Sequence, residues 1–346
     1  MAIQIRLAPI NTGLYVDGES TSANEAFFQE RARSGVDICM VGNIAVSEGN
    51  VPNDSTGVMS SSNKWAELAS AIRRAGSTPG IQLSATLPGY RGQTAFTSTK
   101  QDEEFRSYQS LFNKMTKRGW EYLAVRFVGA VDLAFKHGFD HVQIHAAHGY
   151  AFSLALDPVI NPASVGIGPM SDLLQHLCKK FGNRSSLRVS WCTGLTYDSQ
   201  RQARILAFWR PFAPMIELDL SNGYYNLDKR LIYPPHKRGE APYLQNAITL
   251  SQTYPYASFI VAGNVWNPYV LAGCCPPNIH FAIARALIAD PNHLVSAREK
   301  SIMLCDDCGD CHFFSTGRRN VTCPKWHNKA NSADAKNRAA DYATIN

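Results

Sequence analysis

The sequence predicts an α/β fold, a closed (β/α)8 TIM barrel with a C-terminal cysteine-rich appendix. Eight short apolar runs alternate with helix-period segments between residues 3 and 285. Parallel strands need crossover helices and coverage on both faces, and this alternation provides both. No G-x-G-x-x-G turn follows the first run, which disfavours an open doubly wound sheet. A chain of 346 residues with 45% hydrophobic content can bury one large barrel.

The eight runs are the predicted barrel strands. In order they are 3–10, 36–43, 80–85, 141–146, 187–191, 216–222, 258–264 and 279–285. The helical segments between them commonly stop at a glycine, as in 23–35, 63–76, 122–138 and 171–182. The stretch 86–120 starts polar and rich in Gly, Ser and Thr. It is predicted to be an extended loop after the third strand, on the face where barrel sites form.

Charge and hydropathy exclude some function classes. The net charge is +6, but Lys and Arg are dispersed rather than gathered in runs with aromatic residues, which disfavours nucleic-acid binding. No apolar stretch reaches membrane-spanning length, and the first residues do not resemble a signal peptide. We therefore expect a soluble cytoplasmic protein with a barrel domain, 1–300, and a cysteine-rich segment with a C-terminal arm, 301–346.

Four of the nine cysteines crowd into the C-terminal segment. Cys305, Cys308, Cys311 and Cys323 form C-x2-C-x2-C-x11-C, followed by a proline. Three thiolates at successive three-residue steps and a fourth further on are typical of a [4Fe-4S] cluster, whereas zinc usually takes separated C-x2-C pairs. Zinc stays open, since His312 and His327 lie nearby. The five other cysteines are interpreted as buried or inert thiols.

The run HVQIHAAHGYAF, residues 141–152, carries His145, His148 and Tyr150. If it begins with the fourth barrel strand, these side chains lie on the catalytic face. Three interpretations remain: hydrogen bonding to a substrate or cofactor, metal binding, and core histidines. A zinc hydrolase would also need carboxylates, for which the candidates are Glu217 and Asp219 within the sixth strand.

The segment GFDHVQIHAAHGYAFSLALDP closely resembles the signature after the fourth strand of the old yellow enzyme family of FMN-dependent ene-reductases. The resemblance implies that His145 and His148 grip the oxygen of an activating carbonyl or nitro group. It also implies that Tyr150 protonates the substrate carbon.

The resemblance extends over nearly the whole chain and implies an FMN site. RLAPINTGLYVDG and the following segment are similar to the opening of the family's iron–sulfur branch, that of 2,4-dienoyl-CoA reductase and trimethylamine dehydrogenase. By this resemblance Gln82 hydrogen-bonds the flavin pyrimidine, and Arg188 lies by its N1 and O2. The other implied cofactor-binding residues are Ala8, Pro9, Ile10, Asn11, Gly42, Gly263, Asn264, Ala284 and Arg285. By the same resemblance, Asn43 beside Gly42 lies near the flavin ring.

The chain also departs from the family pattern. Ala85 stands where a histidine is usual, and Ala284 replaces a glycine of the phosphate loop. INPASVGIG keeps Asn161 but lacks the usual arginine and aspartate. Relatives in the iron–sulfur branch continue into FAD- and pyridine-nucleotide-binding domains, whereas this sequence stops at Asn346. Electrons are therefore expected from NAD(P)H directly, or from a partner such as a ferredoxin or a reductase subunit.

The leading hypothesis is an FMN and [4Fe-4S] ene-reductase acting on an activated C=C bond of a small conjugated substrate. Alternatives within the branch are an amine dehydrogenase and a dienoyl thioester reductase. A different class of function is an electron-transfer subunit that serves a partner protein, for which basic residues such as Lys237 and Arg238 could steer an acidic partner.

Overall fold

The protein is described by a computed structural model over residues 3–329. Eight of its ten strands form a closed barrel in the order β1-β10-β9-β8-β7-β6-β5-β4, and every neighbouring pair is parallel. The strands are β1 Ile5–Ile10, β2 Tyr15–Val16, β3 Glu19–Ser20, β4 Ile38–Ala45, β5 Thr78–Ser84, β6 His141–Ala146, β7 Ser185–Cys192, β8 Ile216–Asn222, β9 Phe259–Ala262 and β10 Ile279–Ile283. All eight predicted strands are present, and the predicted (β/α)8 barrel is confirmed. The small antiparallel pair β2–β3 was not predicted.

Helices follow most of the strands, and the longer ones cover the outside of the barrel. They are α1 Ser22–Ala32, α2 Lys64–Arg74, α3 Gln101–Asn113, α4 Lys117–Lys136, α5 Ala151–Ala155, α6 Ile167–Phe181, α7 Asp198–Trp209, α8 Lys229–Ile232, α9 Leu244–Thr253, α10 Pro268–Ala272, α11 Arg285–Ala289, α12 His293–Arg298, α13 Phe313–Thr316 and α14 Pro324–Lys329. Short 3-10 turns occupy Glu48–Asn50, Arg210–Phe212 and His236–Arg238. Along residues 3–329, no helix is both long enough and apolar enough to cross a membrane.

One prediction about secondary structure was wrong. The stretch 86–120 is not an extended loop throughout, because it is irregular only to residue 100 and then forms α3 and the start of α4. Tyr108 and Phe112, four residues apart, are the buried residues of α3. Residues at this spacing lie on one helix face, so a narrow buried stripe is enough to dock an otherwise polar helix.

The amino-terminal end of the barrel is closed by a buried charge cluster. Arg6 of β1 donates two hydrogen bonds to Glu217 of β8, at 2.6 and 2.7 Å. His141 of β6 and His280 of β10 approach the same carboxylate at 3.7 and 3.8 Å. Burial first, and then the Arg6 charge, lower the pKa of each histidine to about 4. Both rings are therefore neutral near pH 7, and the only full charges of the cluster are those of Arg6 and Glu217.

The C-terminal segment, residues 301–329, packs onto the opposite end of the barrel. The Val321 backbone N–H donates to the Thr12 carbonyl at 2.7 Å, and Lys229 Nζ donates to Ser315 Oγ at 2.7 Å. Val321 and Cys323 are part of the same hydrophobic core as the strands. This segment thus covers the face formed by the carboxyl ends of the strands. Most of the predicted C-terminal arm, the last twenty or so residues, lies outside the described residues.

Candidate functional site

A large cavity opens at the carboxyl ends of the barrel strands, beneath the C-terminal segment. Each predicted catalytic and cofactor-binding residue of the barrel lines it, with Gly42 as the exception. Those residues are Ala8, Pro9, Ile10, Asn11, Gln82, His145, His148, Tyr150, Arg188, Gly263, Asn264, Ala284 and Arg285. Side chains that are far apart in the sequence therefore share one space. Their individual roles remain predictions.

Gly42 lies behind the cavity wall, and its neighbour Asn43 lines the cavity. The backbone at Gly42 has φ +147°, and a Cβ there would lie 2.9 Å from the Gln82 Cβ. Because no side chain fits at that distance, glycine is required for β4 to pack closely against Gln82. The Asn43 amide donates to Ser84 Oγ at 3.0 Å and to the Tyr150 hydroxyl oxygen at 3.3 Å.

The protonation state of His145 follows from its contacts. The Ala147 backbone N–H donates to His145 Nδ1 at 3.1 Å, so Nδ1 carries no proton. Burial first, and then the nearby Arg188 charge, lower the pKa of His145 well below its usual value. The ring is therefore neutral with its proton on Nε2. His145, which is 4% exposed, therefore presents an N–H donor from a buried position.

His148 is fixed at both its backbone and its ring. Its backbone N–H donates to Ser190 Oγ at 2.7 Å, which holds the residue in a left-handed conformation with φ +62°. Its Nε2 lies 2.7 Å from Ser221 Oγ, and Ser221 Oγ accepts a hydrogen bond from Arg188 Nη2 at 3.1 Å. Burial, His145 and Arg188 together lower the pKa of His148 well below its usual value, so this ring is neutral as well.

Tyr150 lies against His145, which in turn contacts His148. Its ring stacks on His145 with centroids 4.5 Å apart, and the rings of His145 and His148 meet edge to face at 5.0 Å. Burial is the main reason that the pKa of Tyr150 is raised well above its usual value. Its phenol is therefore protonated at neutral pH. Because the oxygen accepts from Asn43, the hydroxyl proton is available for donation to another group.

A buried chain of hydrogen bonds links β5, β6, β7 and β8 at one side of the cavity. Arg188 Nη1 donates to Asp219 Oδ2 at 2.9 Å, and Gln143 Nε2 donates to the same oxygen at 2.8 Å. Gln82 Nε2 in turn donates to Gln143 Oε1 at 2.6 Å. One N–H of the Gln82 amide is thus engaged by Gln143, and its Oε1 remains an acceptor at the cavity wall.

This geometry argues against a zinc hydrolase. Asp219 is engaged by Arg188 and Gln143, and Glu217 is paired with Arg6 at the other end of the barrel from His145. In the part of the chain that the structure describes, no group of three or more His, Cys, Asp or Glu side chains is placed to hold a metal ion.

The far end of the cavity is built from the ends of β9 and β10. Arg285 is the first residue of α11, and its Nη2 donates to the Pro234 carbonyl at 2.5 Å and to Asn264 Oδ1. Its Nη1 donates to Asp307 Oδ1 of the C-terminal segment at 2.6 Å. A guanidinium at this end of the cavity could bind an anionic group such as a phosphate.

The four clustered cysteines line a second cavity of about 480 Å³. All four are free thiols. Burial, and then the neighbouring Cys305 thiol, raise the pKa of Cys311 to about 12. All four line this one space, and no three of them are placed to hold a single metal ion. Cys305, Cys311, His312 and Arg285 line both cavities, so the two share a wall.

The sequence reasoning missed the aromatic residues of the cavity. Tyr90, Tyr225, Tyr233, Trp266 and Phe314 all line it. Four of them lie in loops or irregular segments that follow barrel strands, and Phe314 comes from the C-terminal segment. They show no periodicity, so the only available signal was their place after strand ends, where barrel enzymes build their sites.

Comparison with protein families places these residues in context. Residues 5–164 match the model of the NADH:flavin oxidoreductase / NADH oxidase family. An NADPH dehydrogenase from Listeria welshimeri is 27% identical over 190 residues, which cover 50% of this chain and 54% of that protein. The alignment thus spans about half the length of this relative.

Solved structures share the fold at low identity. A 2-naphthoyl-CoA reductase complex has a TM-score of 0.76 at 12% identity, covering 93% of this chain and 54% of that one. Histamine dehydrogenase from Rhizobium sp. 4-9 has a TM-score of 0.72 at 17% identity, covering 93% of this chain and 50% of that one. An old yellow enzyme from Pichia sp. AKU4542 has a TM-score of 0.66 at 13% identity, covering 88% of this chain and 85% of that one. At such identities these likenesses show the barrel fold alone.

Proposed function

Starting from the match of residues 5–164 to the NADH:flavin oxidoreductase / NADH oxidase family, we propose that this flavin-dependent oxidoreductase reduces an activated C=C bond, with FMN as cofactor and NAD(P)H as donor. One observation carries the proposal. A neutral His145 with its proton on Nε2 and a protonated Tyr150 stand side by side in one buried cavity, next to His148.

The cavity wall fits FMN at two separate points. Gln82 Oε1 is an acceptor suited to the imide N–H of a flavin ring, and Arg188 is a buried cation suited to the ring's anionic edge. At the other end, Arg285 and the ends of β9 and β10 would hold the phosphate. When bound, FMN supplies two-electron transfer to an organic substrate.

His145 and His148 would hold the oxygen of the substrate's activating group. Reduction of an enone places negative charge on this oxygen, and neutral N–H donors that are already oriented stabilise that charge more than the ground state. Ala147 fixes the donor tautomer of His145. Ser190 and Ser221 fix the backbone and ring of His148. Ser221 would donate to His148 Nε2, which would put the ring proton on Nδ1. Neither donor would then need to rearrange as the charge develops.

Tyr150 would donate the proton to the substrate carbon. Its raised pKa keeps the phenol protonated over the working pH range, and Asn43 holds its oxygen without taking its proton. The Tyr150 hydroxyl shares the cavity with the two histidines that would bind the oxygen of the activating group. It can therefore protonate the carbon adjacent to that group. Such general-acid catalysis contributes roughly 10²–10⁴ in rate.

Cys305, Cys308, Cys311 and Cys323 would hold a [4Fe-4S] cluster in the second cavity. Such a cluster supplies one-electron transfer. The two cavities share a wall that includes His312, so a cluster in the second cavity would lie beside the main site. Such a cluster would let the protein accept electrons from a one-electron carrier as well as from NAD(P)H.

A second candidate function is electron transfer to or from a partner protein. The observation that favours it is the rim of the cysteine cavity, where Arg230, Lys237 and Arg238 are exposed. Among the described residues, none of these three side chains forms a salt bridge. A cationic rim of this kind suits an acidic carrier such as a ferredoxin.

Replacing Tyr150 by Phe distinguishes the two functions. For the reductase, formation of saturated product from 2-cyclohexen-1-one should fall by about 10²-fold or more, while flavin content and its reduction by NADPH persist. Tyr122→Phe is the matched control, because Tyr122 is 63% exposed on the outer helix α4. Unchanged product formation in the Tyr150 variant would contradict the reductase proposal.

Charge reversal tests the electron-transfer function. Lys237→Glu with Arg238→Glu should slow reduction by an acidic ferredoxin and weaken its dependence on salt concentration. The control is Arg126→Glu with Lys136→Glu, two exposed positions on α4. Equal rates in the two double variants would contradict docking at this rim.

The substrate could instead be an amine or a dienoyl thioester bound at the same site. Turnover of enones, amines and dienoyl thioesters by the wild-type protein separates these alternatives. For a substrate that is turned over at this site, turnover should fall in Tyr150→Phe.

A further inference from the structure

Asp307 lies in the turn between Cys305 and Cys308 and reaches out of the cysteine segment to the barrel. Its Oδ1 accepts from Arg285 Nη1 at 2.6 Å, and its Oδ2 accepts from the His236 backbone N–H at 2.5 Å. The residue has a left-handed backbone, with φ +52°. The turn thus directs this carboxylate toward the phosphate end of the main cavity.

The other two acidic residues of the segment, Asp306 and Asp310, pair with residues of the segment rather than with the barrel. Asp306 pairs with Lys325 at 2.8 Å, and Asp310 pairs with Arg318 at 2.9 Å. Both of those partners belong to the C-terminal segment itself. Of the three aspartates, Asp307 is the one that joins the cysteine turn to a barrel residue, so Asp306 and Asp310 are natural controls.

Arg285 connects the two cavities. It lines the main cavity and the cysteine cavity, and its second nitrogen is held by the Pro234 carbonyl and the Asn264 amide oxygen. Asp307 lines only the cysteine cavity. The carboxylate therefore holds the guanidinium from the side opposite the proposed cofactor, where it does not itself occupy the cofactor's space.

We propose that Asp307 is a positioning residue for the phosphate of the flavin cofactor. By holding Arg285, it orients the guanidinium before the cofactor binds and makes the affinity for the phosphate depend on the fold of the cysteine turn. A long, flexible side chain that is ordered in advance loses less entropy on binding. The dependence is reciprocal, so a bound phosphate also stabilises the turn. This inference rests on the proposed FMN site.

The test compares FMN with riboflavin, which lacks the phosphate. Flavin is removed from the purified holoprotein, and both dissociation constants are measured by fluorescence quenching, with the iron content recorded for each variant. Asp307→Asn should lower the ratio of the riboflavin to the FMN dissociation constant by about fivefold or more. Asp306→Asn and Asp310→Asn should leave this ratio unchanged. A purely structural role would weaken both flavins equally.

A second comparison keeps the inference testable if Asp307→Asn does not fold. Asp307→Glu keeps the charge but displaces the carboxylate by one methylene, and it should lower the same ratio. With Arg285→Gln as background, Asp307→Asn should have no further effect on the ratio, because the two residues act as a pair.

The outcomes separate this inference from the function on which it rests. A wild-type protein that binds neither flavin, or binds both equally, contradicts the proposed FMN site. A wild-type preference for FMN that is unchanged or increased in Asp307→Asn overturns only the role of Asp307. A parallel loss of both flavins in that variant overturns it as well.

Discussion

The charge cluster at the amino-terminal end of the barrel provides a quantitative test of the fold, through the change Glu217→Gln. Arg6 and Glu217 form two short hydrogen bonds, and their side chains are 3% and 16% exposed. Glutamine keeps the shape and can accept one of these hydrogen bonds. It removes the negative charge, which leaves the buried Arg6 guanidinium without a counter-charge.

The expected cost can be worked out from these contacts. Removing one partner of a buried ion pair costs about 3–5 kcal/mol, mainly because the remaining charge stays desolvated. Because Glu217 retains some exposure to water, we expect the lower end of this range, a loss of about 3 kcal/mol in the free energy of unfolding.

This loss of stability should depend on pH. Burial alone would raise the pKa of Glu217, but Arg6 and the two neighbouring histidines lower it below its usual value.

A carboxylate with a lowered pKa stabilises the folded state above its unfolded pKa of about 4.3, and this contribution is lost as the pH falls through the lower folded value. The difference between wild type and Glu217→Gln should therefore be complete at pH 7 and shrink below about pH 4. Urea unfolding followed by tryptophan fluorescence measures it. The matched control is Glu121→Gln on α4, whose ion pair with Lys117 at 4.0 Å is exposed. A loss below about 1 kcal/mol at pH 7, as for a surface ion pair, would refute the reasoning.

Three further predictions concern the site. Because the pKa values of His145 and His148 lie well below 6.5, kcat/KM should stay level between about pH 5.5 and 7.5, and a fall with an apparent pKa near 6.5 contradicts their neutrality. Gly42→Ala forces a Cβ to 2.9 Å from the Gln82 Cβ, so the purified variant should carry less flavin by absorbance, and full flavin content contradicts this packing. Removing iron with a chelator should raise amide hydrogen exchange across residues 305–323, and unchanged protection contradicts a cluster there.

The barrel could be predicted because its signal is local. A parallel barrel strand is covered on both faces, so it reads as a short apolar run, and β4 is buried along its whole length. Helix α3 was missed for the opposite reason. Only two of its residues are buried, and the polar loop before it hides its beginning.

Site residues could be predicted from the sequence only where they belong to a short motif. His145, His148 and Tyr150 lie within six residues of one another, and their resemblance to a known signature placed them together. The contacts of Asn43 with Tyr150 and of Asp307 with Arg285 could not be predicted, because each joins distant parts of the chain. Asn43 reaches Tyr150 across 107 positions, and Asp307 reaches Arg285 across 22. Such contacts depend on the closed barrel and on the way the C-terminal segment packs over it.

The most direct test of the central proposal is an anaerobic turnover measurement with purified protein, FMN, NADPH and 2-cyclohexen-1-one. The account predicts that one cyclohexanone forms for each NADPH oxidised, and that NADPH oxidation nearly stops when the enone is omitted. NADPH oxidation that needs oxygen, with no saturated product from this or any other enone tested, would contradict it.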